Sequence, residues 1–397
     1  MDKKNFSILF VTDSLRANHG VAKSGIFILQ ALRNFSNEIS IISNECSAAT
    51  KDLLHEFDLS LNCVTVPPKP LLYKGVGWLG PRTIARIFRS FLNYIKWTFR
   101  KQGVESDLIF VNGSSVSYKV WKRIEHQSFG KKILIIHESP RHFQVSFLIS
   151  LEKNISFLKS FDALIFVSNR GRKEWLGLLD CHNILNFYIP NCADEAVANK
   201  LFSVPKSTVK SEKYFTQTGI NLLCLGTIEQ RKGQDYLIDN FSLILEVYRD
   251  AYLYLVGSDA SGWALQLKQK VKKMGLNSKI HFLPYQKNGM ELIYASDILI
   301  VPSRAEAMPL VVLEAMCLKT PVIASNVDGI TELIEHNNTG WLFDLEKIET
   351  FRYAVESTHS EENRKRVADN ACKKYWDSFS QKQLAIRYIS ALKTLMN

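Results

Sequence analysis

The sequence predicts an α/β protein built from two doubly wound parallel-sheet domains, and three observations predict it. A chain of 397 residues exceeds an ordinary single α/β domain and suits two. Strand-type runs of Ile, Leu, Val and Phe alternate with amphipathic segments throughout, as expected of buried parallel strands joined by crossover helices. The alternation breaks once, at 192–219, where Lys, Ser, Thr and Glu follow one another without strong periodicity.

In the first half, strands are expected at 7–12, 39–42, 61–66, 108–111, 132–136, 163–167 and 186–189, with helical patterns between them such as 21–33 and 170–179. After the polar stretch a second series follows at 221–225, 251–256, 279–283, 298–301, 321–324 and 340–343. The closing segment, 380–396, reads as a helix: Ser380 with Gln383 forms a capping box, and Leu384, Ile386, Tyr388, Ile389, Leu392 and Leu395 keep mostly helical spacing. Two such sheets would leave a cleft outside the carboxyl ends of their strands, where ligands of this architecture bind.

Composition narrows the function. With 46% hydrophobic and 22% charged residues the chain is globular. No apolar run reaches the roughly 18 residues needed to span a bilayer, and the start, Met1-Asp2-Lys3-Lys4-Asn5-Phe6, carries no signal-type segment, so a cytoplasmic protein is expected. The seven cysteines show no Cys-x-x-Cys spacing, and no Asp-x-Asp triplet occurs, so no metal site is expected. The turn after the first strand, Thr12 to Ser24, lacks Gly-x-Gly-x-x-Gly, which disfavours hydride transfer with a dinucleotide. The net charge of +11 is uneven: residues 1–190 hold 25 Lys and Arg against 15 Asp and Glu, and residues 191–397 hold 25 against 24.

The richest run is Val301-Pro302-Ser303-Arg304-Ala305-Glu306-Ala307-Met308-Pro309-Leu310-Val311-Val312-Leu313-Glu314-Ala315-Met316. A buried strand ends at Val301, and a helix is expected to begin near Pro309, whose φ is already set for a first turn. Its free amides, around Leu310 and Val311, make an anion site suited to a diphosphate, with Met308 and Pro309 beside it. Glu306 precedes the helix and can face a sugar ring. Glu314 lies inside it and can accept from the paired hydroxyls of a ribose. Taken singly, either glutamate is more often a plain surface residue.

Farther on come Pro321-Val322-Ile323-Ala324-Ser325, Asp328-Gly329-Ile330-Thr331-Glu332 and Thr339-Gly340-Trp341-Leu342-Phe343. With the two glutamates seven residues apart, this run resembles the GT-B glycosyltransferases, in particular the large retaining family numbered four (glycosyl transferases group one). The resemblance covers the second half well and the first half loosely. It implies a GT-B fold with two Rossmann-like domains facing a cleft: residues 1–191 binding the acceptor, 192–219 linking, 220–379 binding the nucleotide sugar, and a helix over 380–397 packing back toward the first domain.

The resemblance also directs attention to Leu225-Gly226-Thr227-Ile228-Glu229-Gln230-Arg231-Lys232-Gly233. The family places one basic residue after the first glycine and one before the second. Lys232 matches the second, Thr227 departs from the first, and Arg231 is a candidate to supply the missing charge. Asp235 and Tyr236 are expected to pack the following helix. Leu283-Pro284-Tyr285 fits the loop flanking the base, with Tyr285 contributing mostly backbone. In the first half, Gly20 of His19-Gly20-Val21-Ala22 allows close approach to a phosphate. His137 ends a strand, and the resemblance implies that it contacts the donor sugar near the reacting carbon. Ile189-Pro190-Asn191-Cys192-Ala193-Asp194 resembles the family's Pro-Asn-Gly-x-Asp turn with Cys192 in place of glycine.

One further segment stands apart. No acidic residue lies between Asp58 and Glu105, whereas Lys69, Lys74, Arg82, Arg86, Arg89, Lys96, Arg100 and Lys101 do. A basic stripe at 82, 86, 89, 96 and 100, with Trp78 and Trp97, suits an anionic membrane surface reached through residues 69–101. No nucleic-acid module is present, so nucleic acid is not expected as a partner. The reading that results is a metal-independent, retaining hexosyltransferase-type enzyme on the inner face of the cell membrane, with Glu306, His137 and Lys232 as catalytic candidates. It uses a UDP- or GDP-linked sugar and no cofactor, and a glycan or lipid-linked acceptor in polysaccharide or glycolipid synthesis. The alternatives are a non-catalytic GT-B partner of another glycosyltransferase, or a GT-B epimerase or phosphorylase.

Overall fold

The structure, a computed structural model, describes residues 6–14, 20–36, 38–45, 62–65, 106–113, 129–140, 151–179, 184–212, 215–216, 218–259 and 262–397. The basic segment 69–101 lies outside the described residues, as does His19.

The chain divides into two compact units. The first comprises 1–166, 174–188 and 385–397, and the second 167–173 and 189–384. The first holds a seven-stranded sheet, β1 (Ser7–Ser14), β2 (Glu38–Glu45), β3 (Asn62–Thr65), β4 (Ser106–Asn112), β5 (Phe129–Ile136), β6 (Ala163–Phe166) and β7 (Leu185–Tyr188), in the order β3-β2-β1-β4-β5-β6-β7. The second holds β8 (Ile220–Leu225), β9 (Ala251–Val256), β10 (Ile280–Leu283), β11 (Ile298–Val301), β12 (Val322–Ser325) and β13 (Trp341–Phe343), in the order β10-β9-β8-β11-β12-β13. Every pairing is parallel. Each of the thirteen strands read from the sequence is present, its ends shifted by at most three residues.

The apolar runs become strands because both faces of each sheet are covered. Leu108, Ile109, Phe110 and Val111 of β4 are fully buried, and all of β11 and β12 is buried. In the first unit Leu9, Ile109, Leu134 and Leu164 of successive strands join Phe157, Trp175 and Leu179 in one cluster. In the second unit Leu222, Leu253, Ile298 and Ile323 join Leu237, Phe241, Leu267 and Phe351. At roughly 25 cal/mol per Å² of buried apolar surface these clusters carry most of the folding free energy.

Both sheets reverse strand order between their first and fourth strands, β1 and β4 in one, β8 and β11 in the other. At such a switch point the loops leaving two neighbouring strands diverge and open a crevice. This is why the loops after β8 and β11, some seventy residues apart in sequence, are neighbours in space.

The segment 192–219 corrects the reading of a plain linker. It carries the helices Glu195–Phe202 and Lys206–Glu212 and belongs to the second unit. Asp194 caps the first helix by accepting from Val197 N at 3.1 Å. The hydroxyl of Tyr375 accepts from Ala193 N (3.1 Å) and donates to Glu195 (3.0 Å), which binds the segment to the Glu361–Ser378 helix. Cys192, where the family has glycine, is buried and does not adopt a positive φ, so its side chain costs the turn no strain. The last helix, Gln381–Met396, has Tyr388 buried against Phe110 of β4 at 6.4 Å between ring centroids.

Candidate active site

In the second unit the site begins at the end of β8. After Gly226 the chain runs through Thr227, Ile228 and Glu229 into a single 3-10 turn, Gln230–Lys232, which Gly233 ends in a left-handed conformation (φ 71°). Glycine is required there twice over. A side chain would be strained at that φ, and a Cβ would lie 2.0 Å from the carbonyl oxygen of Pro302. The turn is thus pressed against the backbone that leaves β11.

That contact sets Arg231 and Lys232 over Glu306. The Lys232 ammonium bonds directly to Glu306 Oε1, Arg231 Nη1 lies 3.5 Å from the same oxygen, and the Ser303 hydroxyl donates to it at 2.9 Å. Arg231 also reaches Ala305 O (3.1 Å) and Glu229 (2.6 Å). Burial raises the Glu306 pKa; Lys232, Arg231 and the hydrogen bonds from Lys232 and Ser303 outweigh it and hold the carboxyl below its ordinary value. The group is therefore an anion at neutral pH, although only 8% of it is exposed.

Part of the support around these residues left no signal in the sequence. Arg304 N donates to Arg231 O at 2.7 Å, and the Arg304 guanidinium pairs in fork fashion with both oxygens of Asp235 (2.9 and 2.7 Å). Asp235, expected to pack the helix Gln234–Asp239, thus ties that helix to the β11 loop. Tyr236 does pack, stacking on Phe343 at 5.5 Å. Buried Gln234 donates to Thr227 O (2.9 Å) and so braces the turn from within. Gly329 N donates to Glu306 O at 2.9 Å, and a Cβ on Gly329 would fall 1.5 Å from Ala307 O. Residues 167–173, which group with this unit, present the amides of Asn169 and Arg170 to Glu332 at 2.9 and 2.7 Å. A Gly-x-x-Glu spacing beside the Glu306 loop was the sequence signal for these last contacts; the partners of Arg304 and Gln234 left none.

The helix after the loop spans Leu310–Cys317. Pro309 is its N-cap, with extended backbone (φ −71°, ψ 116°), and not a first-turn residue as expected, because its ψ keeps it outside the helix. No side chain caps this end among the described residues, so the first-turn amides of Leu310 and Val311 have no capping acceptor. Met308 and Glu314 are buried, and Tyr285, after β10, is 37% exposed.

In the first unit, among the described residues, the hydrogen bonds at the corresponding place join uncharged groups. Asn112 ends β4, and its Nδ2 donates to Thr12 Oγ1 at the end of β1 (3.4 Å) and to Val21 O (3.3 Å) in the helix Gly20–Arg33 that exposed Gly20 starts. This orientation turns Asn112 Oδ1 toward His137 Nε2, 2.7 Å away. His137 therefore carries its proton on Nε2 and keeps Nδ1 as an acceptor. Burial pushes its pKa down to about 4, so it is neutral at pH 7.

Comparison with known proteins places the chain among similar sequences and folds. The family model described as glycosyl transferases group 1 matches residues 207–374. A glycosyltransferase of Haemophilus influenzae is 28% identical over 190 residues, 47% of this chain and 49% of that protein. The N-acetyl-α-D-glucosaminyl L-malate synthase of Bacillus anthracis is 27% identical over 200 residues, 50% of this chain and 51% of that protein. The chain thus spans about half the length of the curated relatives it matches. Among solved structures, HepE of Anabaena, crystallised with UDP and glucose, superposes with a TM-score of 0.72 at 20% identity, covering 98% of this chain and 100% of that one. The fold is GT-B.

Proposed function

We propose that the protein is a retaining glycosyltransferase that moves a sugar from a UDP- or GDP-linked donor to a glycan or lipid-linked acceptor. The observation that carries this reading is the convergence of Lys232, Arg231 and Ser303 on Glu306 at the switch point of the group 1 domain. Departure of the nucleotide leaves negative charge on its β-phosphate. Lys232 and Arg231 on one side, and the amides of Leu310 and Val311 on the other, stabilise that charge as it develops. Glu306 orients the sugar through its hydroxyls, and Glu314 takes the ribose. His137 is neutral and so acts as a hydrogen-bond partner of the sugar, not as a cation. The two side-chain cations fill the electrophilic role toward the diphosphate, and with no Asp-x-Asp in the sequence the transfer is proposed to need no divalent metal. Activity lost in EDTA and restored by Mn²⁺ or Mg²⁺ would overturn that point.

The acceptor is proposed to lie at an anionic membrane, approached through residues 69–101. Among the described residues no helix is long and apolar enough to cross a membrane. Support comes from the acid-free basic stretch, since each nearby cation adds about 1 kcal/mol at such a surface. Two experiments test the whole reading. Purified protein incubated with a panel of UDP and GDP sugars should release nucleotide with one of them; release with none would leave a non-catalytic binder. Co-sedimentation should favour phosphatidylglycerol vesicles over neutral ones, and should fade with salt over a screening length of about 8 Å.

A further inference from the structure

The hydrogen bonding of Glu306 is lopsided. Lys232, Arg231 and Ser303 all converge on Oε1, and among the described residues no hydrogen bond is made to Oε2. The partners also differ in freedom. Glu306 is 8% exposed, pinned by Ser303 and by the bond from Gly329 N to its own carbonyl; the side chains of Lys232 and Arg231 are 20% and 35% exposed. The carboxylate is the fixed partner and the cations are the movable ones. Their charge is also fully matched, because Arg231 lies on Glu229 as well as on Glu306. Thr227 brings no charge to the turn, so these are the cations it offers.

We infer that Glu306 is an internal rival of the donor diphosphate: it holds Lys232 and Arg231 in place, and the phosphates must take both cations from it. The inference rests on the donor-site reading above. Its consequence runs against intuition for a residue of the site. Removing the Glu306 charge frees two cations and removes an anion from the neighbourhood of the phosphates, so a nucleoside diphosphate lacking the sugar binds more tightly while sugar transfer is lost. The freed Oε2 side of the carboxylate is what serves the sugar, and it contributes nothing to a ligand without one.

Calorimetry with UDP, GDP, uridine and guanosine tests this. Glu306→Gln should bind whichever diphosphate the wild type binds on the order of tenfold more tightly, as expected for relief of a close charge pair, with nucleoside affinity unchanged. Glu306→Ala should do the same, and Glu306→Asp, which keeps the charge, should stay near wild type. Arg231→Ala should weaken diphosphate binding severalfold and leave nucleoside binding alone. Unchanged or weaker diphosphate binding by both neutral variants overturns the inference while the donor-site reading stands. A wild type that binds neither diphosphate overturns both.

Discussion

The two sheets share one strand order up to their sixth strand, yet the described residues at their switch points differ in kind. At β8 and β11 two cations and a buried anion meet. At β1 and β4 a threonine, an asparagine and, from β5, an uncharged histidine form a neutral chain of hydrogen bonds. The topology supplies a crevice and dictates nothing about its chemistry. Under the proposed donor-site reading, charge would stand beside the leaving group and a neutral, oriented acceptor beside the sugar hydroxyls.

The sharpest way to break this contrast is at its anion. Glu306→Ala should lower transfer by about a thousandfold, at the upper end for a group aligned on the reacting centre, with the fold intact by circular dichroism; normal turnover would remove Glu306 from the site. Lys232→Ala should weaken nucleoside diphosphate binding by roughly ten- to a hundredfold and spare the nucleoside, which calorimetry separates. Equal losses for both ligands would assign Lys232 to packing.

The neutral switch point can be given a charge. Asn112→Asp places a carboxylate against His137 Nε2 and should raise the histidine pKa from about 4 by one or more units, followed by NMR titration. In the wild type the folded pKa lies below the ordinary 6.5. The unfolded chain therefore binds the proton more readily, and the stability held above pH 6.5 is lost as pH falls toward 4. Denaturant unfolding from pH 7 to pH 4 should show that loss, reduced in Asn112→Asp in the same window. The smallest effect is expected at Asp235→Asn, which weakens the fork to Arg304. This pair is partly exposed, and a severalfold rise in donor KM with little change in kcat would mark it as a positioning contact.

Much of the fold was legible because its strands are buried on both faces. A run such as Ile298-Leu299-Ile300-Val301 can hardly be anything but a core strand between turns. Lys232 and Glu306 were each singled out by the family's motif, but their ion pair was not, because they follow separate strands that only the topology makes adjacent. The helices in 192–219 were not, because eight and seven residues show too little periodicity, and their stability comes from Asp194 and Tyr375. Arg304 was illegible for a similar reason: its partner Asp235 lies 69 residues away, and nothing local distinguishes a latch from a surface arginine.

The thirteen residues 385–397 bear on how the protein is made. They group with the first unit, where Tyr388, Leu392 and Leu395 are buried, yet they follow every other residue of the first unit and the whole of the second in the chain. During synthesis the first sheet emerges early and waits for this helix while about two hundred further residues are translated, at roughly 5–20 residues per second. For roughly ten seconds or more Phe110 and Ile165 lack the cover that this helix gives them. That interval is an opening for chaperones, and a shortened C-terminus would prolong it indefinitely, so aggregation of the nascent first unit is the failure this connectivity invites.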